Sequence, residues 1–563
     1  MPDTSTLISQ FYVKLDGADA TDELVTALLD ITIETSLHLP DVATITLHDP
    51  HLHWVDDPSL APGKTLQVSV HAGSSERDVF DGEIVELEPH FESSTQRLTV
   101  RAFDRLHRLA RGQRVRSFQN VSDGDLVRKL AQEAGLRAQV GPTSQVYPYV
   151  FQNNETNLAF LQKRAAALGY LLYVKGSELH CEAPGGSGHA VELEWGVSLR
   201  EFSPRLTTVQ QSAGITVRGW DPASRQEIVG QAQRGQGGPH VGQTSSGGEL
   251  AQSAFSLDAQ TLIADRPIRT QAQADRLAQA VADQQAGRFI EADGLASGDP
   301  AIVAGASVHV TAVGDTFSGS YFITSATHVY SATAGYTTRF TVSGLSPSSL
   351  LGVLNPAGVT ASAPRQFGLV VGIVTDNNDP NGQGRVKVKY PWLSSEHASD
   401  WARVAVVGGG AQRGIEFLPE VNDEVLVGFE MGDIQFPYVL GGLWNGQDKP
   451  PKANSAAVSG GKVQQRVIAT RAGHLITLDD TDGGGGITIQ DKNGNTIVLD
   501  SGANKLTMTI KGDATLTANG NIDLEAQGNL TLKAQGQLQI QGMSVSMQGS
   551  ADVSLKGTPI NLN

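Results

Sequence analysis

The chain has 563 residues, of which 39% are hydrophobic and 18% charged, and its net charge is −17. That composition predicts a folded rather than a disordered protein, and 42 basic against 59 acidic residues argues against a general binder of nucleic acid or anionic membrane. The only cysteine, Cys181, excludes a disulfide within one chain.

The N-terminal stretch MPDTSTLISQFYVKL lacks a basic segment followed by an apolar run, so no signal peptide is expected. No apolar stretch is long enough to cross a membrane as a helix, and folding in the cytoplasm is expected. The first third reads as mixed α and β. ATITLHD (Ala43 to Asp49), KTLQVSVHA (Lys64 to Ala72) and QRLTVRAFD (Gln96 to Asp104) alternate as half-buried strands do. A helix is predicted after Ser122, an N-cap with Asp125 three residues on, ending at Gly135 and burying Leu126, Leu130 and Ala134. A second is predicted to carry the stripe Leu158, Leu161, Ala165 and Leu168 and to stop at Gly169. Residues 231–250 have the composition of a mobile loop. A third helix is expected over Ala272 to Ala286 and strands over Ile302 to Val342, before a linker from Asn355 to Gln366.

After Trp444 there is no Phe, Tyr or Trp, although the chain's average of 6% would place roughly seven in the remaining 119 residues. Aromatic rings dominate ordinary cores, so an interior too narrow to hold them is expected. Gly512, Gly520, Gly528 and Gly536 recur every eight residues. Between them run apolar pairs, from Leu506/Met508 through Ala514/Leu516, Ile522/Leu524 and Leu530/Leu532 to Leu538/Ile540. The rhythm then slips to steps of seven, eight and seven at Val545/Met547, Val553/Leu555 and Ile560/Leu562. A spacing of two puts both members of a pair on one face of a strand. One short strand cannot bury its face alone and must stack on copies of itself. A solitary solenoid coil needs about twenty or more residues per turn, so eight give one wall. Three chains, each giving one wall per layer, would close a slim prism and remove free sheet edges. The expected inward residues are Leu516, Ile522, Leu524, Leu530, Leu532, Leu538, Ile540, Val545, Val553 and Leu555.

Residues 367–451 include DNNDPNGQGRVKV, YPWL, WARV, RGIEFLPEVNDEVLVGFEMGD and VLGGLWN. This stretch resembles the OB-fold module of VgrG-type spike proteins of contractile injection systems. RAFDRLHRLARGQRVRSFQNVSDGDLVRKLAQEAGL, VFQNNETNLAFLQKRAAALGYLLYV and LREFSPRLTTVQQSAGITVRGWDP resemble the hub that such spikes share with phage baseplates, and HLITLDDTDGGGGITIQDKNGN resembles the entry to the family's needle. The resemblance implies a mainly β protein with an α+β hub over 1–355, an OB-fold β-barrel over 367–446, a linker over 447–461 and a triple-stranded β-helix needle over 462–563. It implies a homotrimer whose hub meets the inner tube and baseplate proteins. A PAAR-type tip protein would sit on Pro559, Ile560, Asn561, Leu562 and Asn563. Such a spike is assembled in the bacterial cytoplasm, carries effector cargo and is driven mechanically through a target membrane when the particle fires. The alternative is a trimeric tailspike-like protein that degrades polysaccharide or binds a receptor.

No enzyme and no cofactor are expected. The linker is too short for an inserted lysozyme domain, the chain ends within the repeat, and HExxH, CxxC, Walker A and GxSxG patterns do not occur. His51 and His53 suit the flank of a loop or strand better than a metal pair. DDTDGGGG at Asp479 to Gly486 resembles Ca²⁺ turns but suits a tight turn better. GGSG at Gly185 to Gly188 precedes a strand rather than a helix, so it is not expected to cradle phosphate.

Overall fold

The alternating N-terminal strands build one half of a continuous sheet whose other half comes from nearly two hundred residues later. The computed structural model describes residues 10–72, 75–93, 95–185, 190–331, 335–344, 366 and 368–561. The linker expected from Asn355 lies outside them but for Gln366, as do Gly186 to Gly188 of the GGSG motif. The chain divides into two compact units, Met1–Asn445 and Gly446–Asn563.

In the first unit an eleven-stranded sheet joins two lobes. One contains Val42–His48, Thr65–Ala72 and Gln96–Phe103; the other contains Leu199–Leu206, Ile290–Ser297 and Gly335–Val342. They meet where Leu28–Ser36 pairs antiparallel with Ser325–Ser331. Alternation puts Ile31, Ile33, Ile45, Leu47, Leu98 and Val100 into the first core, all fully buried. Phe340, Ile290 and Tyr321 anchor the second.

Between the lobes in sequence lies an α/β module. Its first helix, Asp123–Glu133, has the expected Ser122 cap, extended to a full capping box with Asp125. Its second, Asn157–Leu168, ends at Gly169 in the left-handed conformation (φ 70°). Leu126, Leu130, Leu158, Leu161 and Ala165 are buried; Ala134 and Leu168 are only partly so. The third helix, Gln271–Gly287, is alanine-rich and buries Ala274, Leu277, Ala278, Val281 and Ala282.

Residues 231–250 are mostly loop, as expected, though short elements interrupt them. They hold the end of strand Gln226–Ala232, the short strand His240–Val241 and the start of helix Gly247–Phe255. A Cβ on Gly235 would lie 2.0 Å from the Ala282 carbonyl oxygen, and one on Gly230 2.3 Å from the Ala274 carbonyl carbon. These glycines permit close approach to the alanine helix, a use that composition alone does not distinguish from a flexible segment.

A five-stranded barrel-like sheet follows, ordered Lys387–Lys389, Val370–Asp376, Glu424–Phe429, Pro437–Gly442 and Arg403–Val404. Val374, Val388, Val425, Val427 and Val439 fill it. Phe151, from the hairpin Arg114–Ser122/Val146–Glu155 of the α/β module, is buried in the same core. The Tyr149 hydroxyl donates to the Ala398 carbonyl at 2.9 Å. The OB barrel is therefore docked on the module by shared apolar burial.

The second unit contains a short helix Asn454–Ala457, a two-residue hairpin Val458–Ser459/Lys462–Val463, and a five-stranded antiparallel meander. The meander strands are Gln465–Ala469, Leu475–Asp479, Gly486–Gln490, Thr496–Asp500 and Lys505–Thr509. The segment expected as linker thus has local structure. Leu506 and Met508, read as the first octad pair, belong to the last meander strand. From 510 to 561 no residue is assigned to a strand.

Candidate functional site in the C-terminal unit

The meander inverts the usual logic of a one-sided sheet. Register places Ile468, Ile476, Ile489, Ile497 and Met508 in one cross-strand column and Arg466, Leu478, Ile487, Leu499 and Leu506 in the next. The apolar members of both columns are 37% to 62% exposed. The opposite face carries Val467, Thr477, Thr488, Val498 and Thr507 at its centre. Nine large apolar side chains on one face form a patch that soluble single chains rarely leave uncovered.

Both columns continue beyond the meander at the octad spacing. Leu506 is followed by Ala514, Ile522, Leu530 and Leu538, and Met508 by Leu516, Leu524, Leu532 and Ile540. One chain brings none of the expected inward residues into a core: Leu516, Ile522, Leu524, Leu530, Leu532, Leu538, Ile540, Val545, Val553 and Leu555 are 49% to 74% exposed. Pro559, Ile560 and Asn561 are also exposed, while Leu562 and Asn563 lie outside the described residues. Among the described residues, every buried hydrophobic side chain lies at or before Val439. No described residue from 512 onward makes a backbone hydrogen bond to backbone. Unpaired backbone and an uncovered apolar face are both met by pairing with further chains.

The turns at the meander's ends are tied by carboxylates. Asp479 accepts from the Thr481 hydroxyl and amide at 2.5 and 2.9 Å and from the Gln465 side-chain amide at 2.8 Å. These bonds, the Thr481 hydroxyl first, lower its pKa. Asp480 pairs with Arg466. Thus DDTDGGGG acts as a tight turn, as expected. The meander face was missed at the sequence level. Its signal was present: pairs 476/478, 487/489, 497/499 and 506/508 separated by Asp-, Asn- and Gly-rich turns.

Elsewhere, Asp379 of DNNDPNGQGRVKV is gripped by Arg385 at 2.9 and 2.7 Å and by the amides of Asn381 and Gln383. The guanidinium, first, and these amides hold its carboxyl far below the usual range. The motif is a stapled loop. His51 and His53 flank a turn in which the buried Asp49 accepts the amides of His53, Trp54 and Val55. A cleft of about 570 Å³ beside residues 233–248 is lined by Gln211, Arg234, His240 and Gln285. Arg234 there donates to the Thr244 carbonyl.

A family model described as the Alg8 N-terminal domain matches residues 5–331, more than half of the chain. The chain belongs to this family. Residues 370–444, the docked barrel, match the Type VI secretion system/phage-baseplate injector OB domain. Among curated proteins, the Type VI secretion system spike protein VgrG3 of Vibrio cholerae is 39% identical over 74 residues, 12% of this chain and 7% of that protein. Spike protein VgrG5 of Pseudomonas aeruginosa is 36% identical over 99 residues, 16% of this chain and 12% of that protein. The matched stretches therefore span only a small part of these relatives' lengths. The VgrG-containing Francisella PdpA-VgrG complex (lidded) superposes with a TM-score of 0.52 at 9% identity, covering 90% of this chain and 80% of that one. That likeness shows the fold. The resemblance to VgrG-type spikes, and the mainly β architecture with hub and OB-fold, stand on these findings.

Proposed function

We propose that this member of the Alg8 N-terminal domain family is the trimeric central spike and hub of a contractile injection system. The observation that carries this reading is the pair of apolar columns that leaves the meander and continues in sequence through the octads, its large side chains 37% to 74% exposed in one chain. In the trimer each chain supplies one wall of a prism, the columns meet at the axis, and the unpaired backbone finds partners between chains. The role is mechanical, not catalytic. The large two-lobed sheet faces the inner tube and baseplate, the OB barrel forms a collar, and the octads form the needle that penetrates the target membrane.

At the far end, Pro559, Ile560, Asn561, Leu562 and Asn563 are the platform for a PAAR-type tip protein. Cargo travels with the spike, which is assembled in the cytoplasm and leaves with the injection particle. The relatives' names and the matched OB domain support this reading. Light scattering of the full chain, with and without residues 462–563, tests it. A trimer that dissociates or weakens on truncation is expected. A monomer at full length overturns the spike reading.

A further inference from the structure

The octads raise a problem of register that the meander is built to solve. Sliding one chain by eight residues brings Leu516 to the level of Leu524, Ile522 to that of Leu530 and Leu532 to that of Ile540. Through Leu538/Ile540 the layers remain filled with apolar side chains; only the seven-residue steps beyond break the match, setting Leu538 level with Ser546 and Val553 level with Asn561. A repeat of this kind specifies alignment weakly, as strands without a unique pattern do.

The meander has no such freedom. Its five strands pair within one chain, through turns of different sequence, so the ladder is complete before a second chain arrives. Its pairs are local in sequence, and local hairpins form on a microsecond scale, about 1–10 μs. Octad pairing waits for three chains to meet. The ten positions of the two columns contain one charge, Arg466, at the first strand, held by Asp480. Shifting one meander by a strand against its neighbours would drive that guanidinium towards their apolar columns, where burial opposes it.

We propose that the exposed apolar face of residues 465–509 docks on the same face of two further copies of this chain and acts as the register clamp from which the octads zip towards the C terminus. The proposal rests on the trimeric spike reading and on the continuity of the two columns across 508–516.

Cysteine cross-linking in the full-length protein tests it, since the native Cys181 is buried. Two chains, one with Leu524→Cys and one with Leu532→Cys, carry tags of different size and are co-expressed. Aligned trimers give only like-to-like links; a slip by one octad gives links between 524 and 532. With the native meander the mixed links are expected to be at least about tenfold rarer than the like pairs. Adding Ile487→Asp and Leu499→Asp is expected to raise them to parity. Should that double variant not assemble, Ile489→Ala on the same face gives a milder test, with a rise in mixed links expected among the trimers that form.

The irregular end is the competing clamp. Single-residue insertions at Gly542 and Gly557, which restore the eight-residue step, are expected to leave register unchanged. The proposal is overturned by mixed links that are abundant in the native protein, by register unaffected in both meander variants, or by slippage caused by the insertions alone. A full-length monomer without links of either kind would instead overturn the trimer reading itself.

Discussion

The guanidinium of Arg269 is ion-paired with the carboxylate of Glu430, across the boundary between the helical part of the hub and the OB barrel. Arg269 also lies 4.7 Å from the Phe436 ring centroid and donates to the Trp220 carbonyl at 3.1 Å. Glu430 in turn accepts from the Tyr438 hydroxyl at 2.8 Å. Together with the burial of Phe151, this ties the OB barrel to the hub-like part of the chain.

Breaking that pair tests the coupling. Arg269→Ala leaves a half-buried carboxylate with only Tyr438 and removes the ring contact. A loss of about 1–3 kcal/mol is expected. Faster amide exchange should appear at Pro437–Gly442, with the needle unaffected. Thermal unfolding and hydrogen exchange of the full chain read both.

In the proposed trimeric needle, Leu532→Asp would place three carboxylates near one axis, where burial and like charge both oppose ionisation. The heat-resistant trimer on a gel is expected to be lost. Thr531→Asp, one residue away and on the outer face, should retain it. An unaffected Leu532→Asp trimer would remove this residue from the core.

The hub's response to alkali has a specific source. Burial, partly offset by the backbone amides of Asp41 and Leu106, pushes the Asp104 carboxyl up to about 7. Burial and the neighbouring Asp104 raise Asp41 as well. A carboxyl with its folded pKa above the unfolded one stabilises fully below the unfolded value, near 3.8. That contribution is lost as pH rises through about 7. Asp104→Asn keeps an acceptor for the Leu106 amide, now bonded at 2.9 Å, and removes the charge. The variant should gain on the order of 1–3 kcal/mol at pH 8 and nothing at pH 4. Melting temperature against pH decides it.

Two histidines, His328 buried and His38 partly so, act in the opposite sense. Burial lowers the pKa of both His38 and His328 to about 4. The unfolded chain takes up these protons first, so stability is full above the ordinary value of 6.5 and falls as pH drops towards 4. His328→Gln should flatten the acid limb of the melting curve by roughly half the histidine contribution. The loss of the bond between His328 Nδ1 and the Tyr336 hydroxyl, 2.7 Å long, should lower the plateau at pH 7.

Deleting Pro559 to Asn563 should leave the trimer intact and weaken capture of a PAAR-type tip protein. Equal capture by the shortened protein in a pull-down would place the platform elsewhere.

The helices, their caps and the N-terminal strands were legible because local rules govern them: Ser122, Gly135 and Gly169 do in the structure what their positions suggest. The octad pairs are legible as a period of two within a period of eight, but one chain gives them no strand, and the wall expected of them rests on pairing between chains. Two things were hidden for physical reasons. Gly230 and Gly235 pack against an alanine helix some fifty residues away, and nothing in a local window separates close approach from flexibility. The meander's ladder depends on cross-strand register, so Ile489 meets Ile476 and Ile497 only once the turns are placed. Arg269 and Glu430, 161 residues apart, were beyond any local pattern.

The uncovered ladder of the second unit has a consequence for the producing cell. A newly made copy is an orphan whose stickiest surface is already formed, with edge strands Gln465–Ala469 and Lys505–Thr509 open to any other chain. In the proposed trimer, relief requires two siblings, and the chance of meeting both grows steeply with local abundance. Clustered synthesis, many ribosomes on one message, therefore favours productive triplets, whereas slow or scattered synthesis prolongs the orphan state and favours clumping.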